Sequence, residues 1–144
     1  MKARVLFLCT ANACRSQMAE GLARRHLPDL YEAHSAGTDP GSVDPRAVEV
    51  MKEVGIDISG QHSKSVDDLA GTRFDLVVTL CGDAREACPF YPGESRVEHL
   101  GFDDPARTEG TEREVMENFR RVRNGIRDRL IPFLKTLHKD LSKG

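Results

Sequence analysis

Three things are scarce in this 144-residue chain, and each absence removes a class of function. No stretch approaches the ~20 consecutive apolar residues that a membrane helix needs. The short run Val5-Leu6-Phe7-Leu8 cannot serve as the apolar region of a signal peptide, and no small-residue cleavage site follows it. A cytoplasmic protein that does not enter the membrane is therefore expected. Charge of one sign is also missing. The formal net charge is -2, which gives no general attraction to nucleic acid or to an anionic membrane. Any anion site must be built locally, from backbone amides and one or two cations. Finally, the four cysteines, at 9, 14, 81 and 88, contain no Cys-x2-Cys pair and no histidine pair beside them. His26, His34, His62, His99 and His138 are scattered, so no metal site is expected. Disulfides are rarely structural in the cytoplasm, which leaves reactive thiols or inert core residues as the uses of these cysteines.

What is present fits an ordinary globular chain, with 39% apolar and 31% charged residues. No repeat, linker or low-complexity segment divides it, so residues 1–144 are expected to form one domain, and nothing demands more than a monomer. Residues 4–8 form a nearly all-apolar run that suits a strand buried on both faces of a parallel sheet. A helix is expected over 17–26, broken by Pro28 and Asp29, and a second strand over 31–35, closed by Ala36-Gly37. Residues 37–45 read as loop. Pro45 opens a helix that reaches about residue 54 and stops at Gly55. Residues 74–80 (FDLVVTL) make the clearest strand, and 96–100 a weaker one. Thr111 and Glu114 form a capping box for a long last helix. Its buried face carries Val115, Phe119, Val122, Ile126, Leu130, Phe133 and Leu137, and its solvated face includes Arg120, Arg121, Arg127 and Arg129. Pro132 is expected to kink or locally break it. Alternating strands and helices indicate an α/β fold, a parallel, doubly wound four-stranded sheet with helices on both faces. In such folds ligands sit at the carboxyl ends of strands, and both Cys9 and Cys81 fall there.

Residues 9–16 (CTANACRS) join the first strand to the first helix. A cysteine and an arginine separated by five residues can wrap a small tetrahedral anion. The amides of Thr10, Ala11, Asn12, Ala13 and Cys14 turn inward as a nest, the helix amino terminus adds its positive end, and Arg15 offers a two-pronged donor. Thiols at helix amino termini beside cations ionise readily, which makes Cys9 the candidate nucleophile. Ser16 can cap the helix or hydrogen-bond the Cys9 sulfur.

The segment 9–20 (CTANACRSQMAE) resembles the phosphate-loop signature of low-molecular-weight tyrosine phosphatases and of the thioredoxin-coupled arsenate reductases that share their fold. The likeness continues through Ser35-Ala36-Gly37, Gly55-Ile56-Asp57-Ile58-Ser59, Val77-Val78-Thr79-Leu80-Cys81-Gly82-Asp83-Ala84 and Gly101-Phe102-Asp103-Asp104-Pro105-Ala106, so it spans almost the whole chain. It implies a flavodoxin-like winding, Cys9 as nucleophile and Asp104 as general acid on the leaving oxygen. Two reactions remain open. The reductase reading implies a three-thiol relay: Cys9 forms an adduct with arsenate, Cys81 attacks Cys9 as arsenite leaves, and Cys88 takes over the disulfide, which thioredoxin reduces as an external partner with no bound cofactor. Phosphate is then expected to compete with arsenate. The alternative is a phosphatase that hydrolyses phosphoesters through a Cys9 phosphocysteine. Cys81 and Cys88 favour the reductase, because hydrolysis has no use for them. Ala106 and Arg107 also stand where the phosphatases carry aromatic residues that grip a phosphotyrosine ring. Cys14 is expected to be structural.

Were residues 81–88 helical, the Cα atoms of Cys81 and Cys88 would lie roughly 10 Å apart, beyond the about 4.4–6.8 Å that a disulfide spans. A rearrangement of 82–89 during turnover is therefore expected. Some relatives of this class bind potassium through residues matching Asn12, Glu20, Ser35 and an aspartate, the last of which is Lys64 here. An ammonium in that place implies that this chain does without the ion.

Overall fold

The computed structural model describes residues 2–81 and 95–143. Four strands, β1 (Ala3–Cys9), β2 (Tyr31–Gly37), β3 (Leu76–Thr79) and β4 (Arg96–His99), form one sheet in the order β2-β1-β3-β4, and every neighbouring pair is parallel. The chain leaves β1 toward one edge and later returns to its other side, so the gap between the carboxyl ends of β1 and β3 is the topological switch point.

Apart from Arg4 near its start, β1 is apolar throughout, which follows from its central place. Val5 and Phe7 join one core cluster while Leu6 and Leu8 join another, so alternate side chains fill opposite faces. On the first face pack the α-helices of the described residues, α1 (Arg15–His26), α2 (Pro45–Glu53) and α3 (Glu112–Lys143), through Met18, Leu22, Val50, Met51, Phe119 and Ile126. Ala36, Phe74 and Val77 complete the second face, and Val66 and Leu69 of a 3-10 helix over Val66–Leu69 cover it.

The local signals act where the sequence places them. Pro45 is the first residue of α2, and Gly55, with φ of 79°, ends it in the left-handed region. At the start of α3 the Glu114 amide donates to Thr111 Oγ1 at 3.2 Å, while the Thr111 amide donates to Glu114 Oε1 at 3.4 Å, which completes the capping box. Six of the seven apolar positions named for this helix are buried, and Phe133 is half-buried. Pro132 does not break α3, which is one continuous helix. Leu130, Ile131 and Leu134 are buried around it, and the Tyr31 hydroxyl donates to the Leu134 carbonyl at 2.7 Å, so packing on both sides of the proline offsets its missing donor. One arginine departs from the solvated face. Arg123 is buried, donating to the Val50 carbonyl at 2.8 Å and to Glu53 Oε1 at 2.9 Å, and so ties α3 to α2. Among the described residues no helix is long and apolar enough to cross a membrane.

Candidate active site

The loop between β1 and α1 owes its shape to bonds made on its outer side. The Thr10 carbonyl accepts from the Asp39 amide at 2.9 Å, Ala11 from Gly41 at 3.1 Å, and Ala13 from Asp44 at 3.0 Å. The Asn12 carbonyl accepts from Gln17 Nε2 at 2.9 Å and from Ser63 Oγ at 2.6 Å. The Cys14 carbonyl accepts from Met18 as the first turn of α1. A trans peptide sets each carbonyl opposite the next N–H. With carbonyls 10–14 turned outward, the amides of Ala11, Asn12, Ala13, Cys14 and Arg15 turn into the loop. The segment 37–45, expected only as a loop, is therefore what holds the nest open. Gly37 makes the approach possible, since a Cβ there would lie 2.4 Å from the Thr10 oxygen.

Asn12 carries the sharpest bend, with φ of 51°, a value that asparagine tolerates better than most residues. Its fully buried side chain fixes the turn from both ends. Oδ1 accepts from the Lys64 amide at 3.0 Å, and Nδ2 donates to Ser16 Oγ at 2.8 Å. Ser16 Oγ in turn lies 2.8 Å from Cys9 Sγ. Of its two expected roles, Ser16 takes the second. Cys14 is the N-cap of α1, no side chain caps the helix, and its first turn holds no acidic residue, so its positive end is left to face the loop.

Arg15 is almost wholly buried. Nη1 donates to the carbonyls of Phe102 at 3.1 Å and Leu80 at 3.4 Å, which fixes the guanidinium between the segments that follow β3 and β4. Nη2 lies 3.7 Å from Asp104 Oδ2. Asp104 caps the 3-10 turn Pro105–Arg107, accepting from the Ala106 amide at 3.0 Å, and Arg107 Nε is 3.9 Å from the same Oδ2. Cys9, Arg15 and Asp104 thus meet at one end of the sheet, although ninety-five positions of sequence separate the first from the last. Ala106 and Arg107 are exposed.

Cys9, Cys14 and Cys81 are buried. β1 and β3 are hydrogen-bonded neighbours, and the Leu80 amide donates to the Leu8 carbonyl at 3.0 Å, so Cys81 follows the end of the strand beside the one that ends in Cys9. Cys88, and the rearrangement expected of 82–89, lie outside the described residues. Cys14 is set apart from the other two. Burial, reinforced by Asp44, pushes its thiol far above the ordinary range, and Sγ donates to Asp44 Oδ2 at 3.7 Å. Asp44 is not legible in the sequence as a site residue; its only signal there is a capping residue before Pro45.

Behind the loop, Glu20 is buried. Oε1 accepts from Ser35 Oγ at 2.8 Å and lies 3.7 Å from Lys64 Nζ, while Oε2 lies 3.2 Å from Arg24 Nη2.

An amide-lined loop over a cysteine, closed by an arginine and overlooked by an aspartate, defines an enzyme that handles a tetrahedral oxyanion. The profile of the low molecular weight phosphotyrosine protein phosphatase family matches residues 4–143, and the chain belongs to that family. Within it, the chain is 52% identical over 132 residues to the arsenate reductase of Bacillus subtilis (strain 168), a match that covers 92% of this chain and 95% of that one. Among solved structures, an arsenate reductase in the phosphate binding state aligns with a TM-score of 0.76 at 35% identity, covering 98% of this chain and 99% of that one. A thioredoxin-dependent arsenate reductase from Corynebacterium glutamicum aligns with a TM-score of 0.62 at 26% identity, covering 97% of this chain and 62% of that one.

Proposed function

We propose that the chain reduces arsenate to arsenite through a relay of Cys9, Cys81 and Cys88, with thioredoxin as the external reductant. Arsenate sits in the nest formed by the amides of residues 11–15, with the Arg15 guanidinium beside it. Cys9 sulfur attacks the arsenic, and Asp104 protonates the departing oxygen, which leaves as water. Cys81 then attacks the Cys9 sulfur. The electron pair of the sulfur–arsenic bond goes to arsenic, which leaves as arsenite, and a Cys9–Cys81 disulfide forms. Attack by Cys88 on Cys81 frees Cys9, and a thioredoxin dithiol reduces the resulting Cys81–Cys88 disulfide. Phosphate competes, because both anions are tetrahedral and suit the same nest.

One observation carries the reading. Two buried cysteines, Cys9 and Cys81, sit at the carboxyl ends of neighbouring strands, and the first lies inside the loop. Strand neighbours are about 4.8 Å apart, a spacing suited to thiol–disulfide exchange. A phosphatase would use Cys9, Arg15 and Asp104 in the same way and leave Cys81 and Cys88 idle. The exposed Ala106 and Arg107 offer no aromatic surface to a phosphotyrosine ring.

The test is a thioredoxin-coupled assay that follows NADPH oxidation on addition of arsenate, with hydrolysis of an aryl phosphate measured in parallel. Cys88→Ser abolishes turnover with arsenate and spares aryl phosphate hydrolysis, whereas Cys9→Ser abolishes both. If the two activities fell together in Cys88→Ser, Cys88 would be structural and the relay wrong.

A further inference from the structure

We infer that Asp44 is a positioning residue that keeps Cys14 out of the thiol chemistry, so that Cys81 alone resolves the Cys9–arsenic adduct. The inference rests on the proposed relay, because it concerns which thiol completes that step.

Among the described residues three buried cysteines, Cys9, Cys14 and Cys81, stand at this end of the sheet, and the relay uses only Cys9 and Cys81 of them. Cys14 is the odd one. It lies five positions after Cys9 in the same loop, is 4% exposed, and is close enough to Cys9 for the two to interact electrostatically. Chemically, Cys14 could do what Cys81 does. If it attacked the Cys9 sulfur, the sulfur–arsenic electron pair would leave with arsenite, and a Cys9–Cys14 disulfide would form with the same balance of atoms and electrons. The fate of that disulfide is different. Lying inside the loop, it closes the nest and offers Cys88 no Cys81 sulfur to attack, so turnover stops.

Asp44 is built to prevent this. Its amide donates to the carbonyl of Ala13, the residue before Cys14, and its Oδ2 accepts from Cys14 Sγ at 3.7 Å. The carboxylate cannot swing away. Oδ1 accepts from the Arg46 amide at 2.9 Å and Arg46 Nε at 3.0 Å, and Oδ2 accepts from Arg46 Nη2 at 2.7 Å. Arg46 is itself anchored, with its guanidinium 4.8 Å from the centroid of the Phe119 ring. The charges around Cys14 favour the protonated thiol. Burial is the largest influence against its ionisation, Asp44, Asp104 and Cys9 add to it, and Arg46 opposes them. Since the thiolate and not the thiol is the nucleophile, a carboxylate fixed against Cys14 silences it.

The test is a single turnover, without thioredoxin, on excess arsenate, followed by acid quench and mass-spectrometric mapping of disulfides. The proteins are wild type, Asp44→Asn, Asp44→Ser and Asp44→Asn/Cys14→Ser. Asparagine and serine both cap helices about as well as aspartate, so the start of α2 is kept while the charge is lost, and the second substitution covers a failure of the first to fold. In wild type the disulfides are expected to join Cys9, Cys81 and Cys88. In Asp44→Asn a several-fold rise in the Cys9–Cys14 disulfide is expected, with a matching loss of sustained thioredoxin-coupled turnover that Cys14→Ser restores in the double variant. An unchanged disulfide pattern in both Asp44 variants, with wild type forming relay disulfides, would overturn the role of Asp44 and leave the relay intact. Wild type forming no disulfide among Cys9, Cys81 and Cys88 would overturn the relay, and this inference with it.

Discussion

Ser16 Oγ lies 2.8 Å from Cys9 Sγ while it accepts a hydrogen bond from Asn12 Nδ2 at 2.8 Å. A serine hydroxyl has one proton. The Cys9 thiolate has no proton to give, so in the nucleophilic form of the enzyme it is the Ser16 hydroxyl that donates to the sulfur while its oxygen accepts from the Asn12 amide. A hydrogen bond to a charged group contributes about 1.5–3 kcal/mol. Ser16→Ala is therefore expected to lower kcat for arsenate by about ten- to a hundredfold at 1.4 kcal/mol per decade, with little change in KM, because the amides that bind the oxyanion stay in place. Steady-state kinetics check this, and an unchanged kcat would show that the sulfur needs no donor from Ser16.

A pair of charges behind the loop bears on ion dependence. Lys64 Nζ lies 3.7 Å from Glu20 Oε1, and Glu20 is 2% exposed. An ammonium beside a buried carboxylate supplies the positive charge that a bound cation would otherwise bring. Activity is expected to be equal in potassium chloride and sodium chloride at fixed ionic strength. Lys64→Asp, which adds a carboxylate and removes the ammonium, is expected to lower activity and to make what remains sensitive to potassium. Parallel titrations of both proteins decide the matter; potassium activation of the wild type would refute the substitution of ion by lysine.

The extent to which the sequence reveals the site depends on how local each signal is. Residues 9–16 are readable because the nucleophile, the arginine and the helix start are consecutive, and β1 announces itself by a run that is apolar on both faces. The residues that hold the loop open are not readable. The amides of Asp39, Gly41 and Asp44 and the side chains of Gln17 and Ser63 act on carbonyls of the loop through contacts that no local pattern encodes. Arg123 shows the same limit: it sits among arginines expected to face water, yet its partners are Val50 and Glu53 on another helix. Pro132 fails as a helix breaker because the packing of Leu130, Ile131 and Leu134 is a tertiary effect.

Gly37 is one of those hidden supports. It pairs with Cys9 across β1 and β2, its amide donates to the Lys64 carbonyl at 2.9 Å, and an added Cβ would meet the Thr10 oxygen at 2.4 Å. Backbone has to move to relieve such a contact, since no side chain is there to yield. Overpacking of this kind costs about 1–3 kcal/mol. Gly37→Ala is expected to lower the urea midpoint by that amount of stability and, because Thr10 opens the loop, to reduce kcat/KM as well. Urea denaturation combined with kinetics separates the two effects. Full activity in a destabilised variant would mean that the loop tolerates displacement at Thr10.

Cys14 has a consequence for stability at alkaline pH. Burial raises its folded value well above the ordinary thiol range, with Asp44 adding to the effect. The unfolded chain releases this proton near pH 8.5, whereas the folded chain keeps it. Above that pH the unfolded state binds fewer protons, so stability falls as pH rises, by up to about 1.4 kcal/mol per pH unit for one group. Below pH 8.5 the contribution is fully present. Tyr31, also raised by burial, enters only above about pH 10, which leaves a window in which Cys14 acts without it. Cys14→Ala removes the titrating group. The variant is expected to be less stable than wild type at pH 7.5, because it loses a buried side chain, but the difference should shrink by about 1.4 kcal/mol by pH 9.5. Urea denaturation of both proteins under reducing conditions, across that range, gives the two slopes. Parallel slopes would mean that Cys14 ionises as easily in the folded protein as in the unfolded one, and the carboxylate of Asp44 would then have no hold on it.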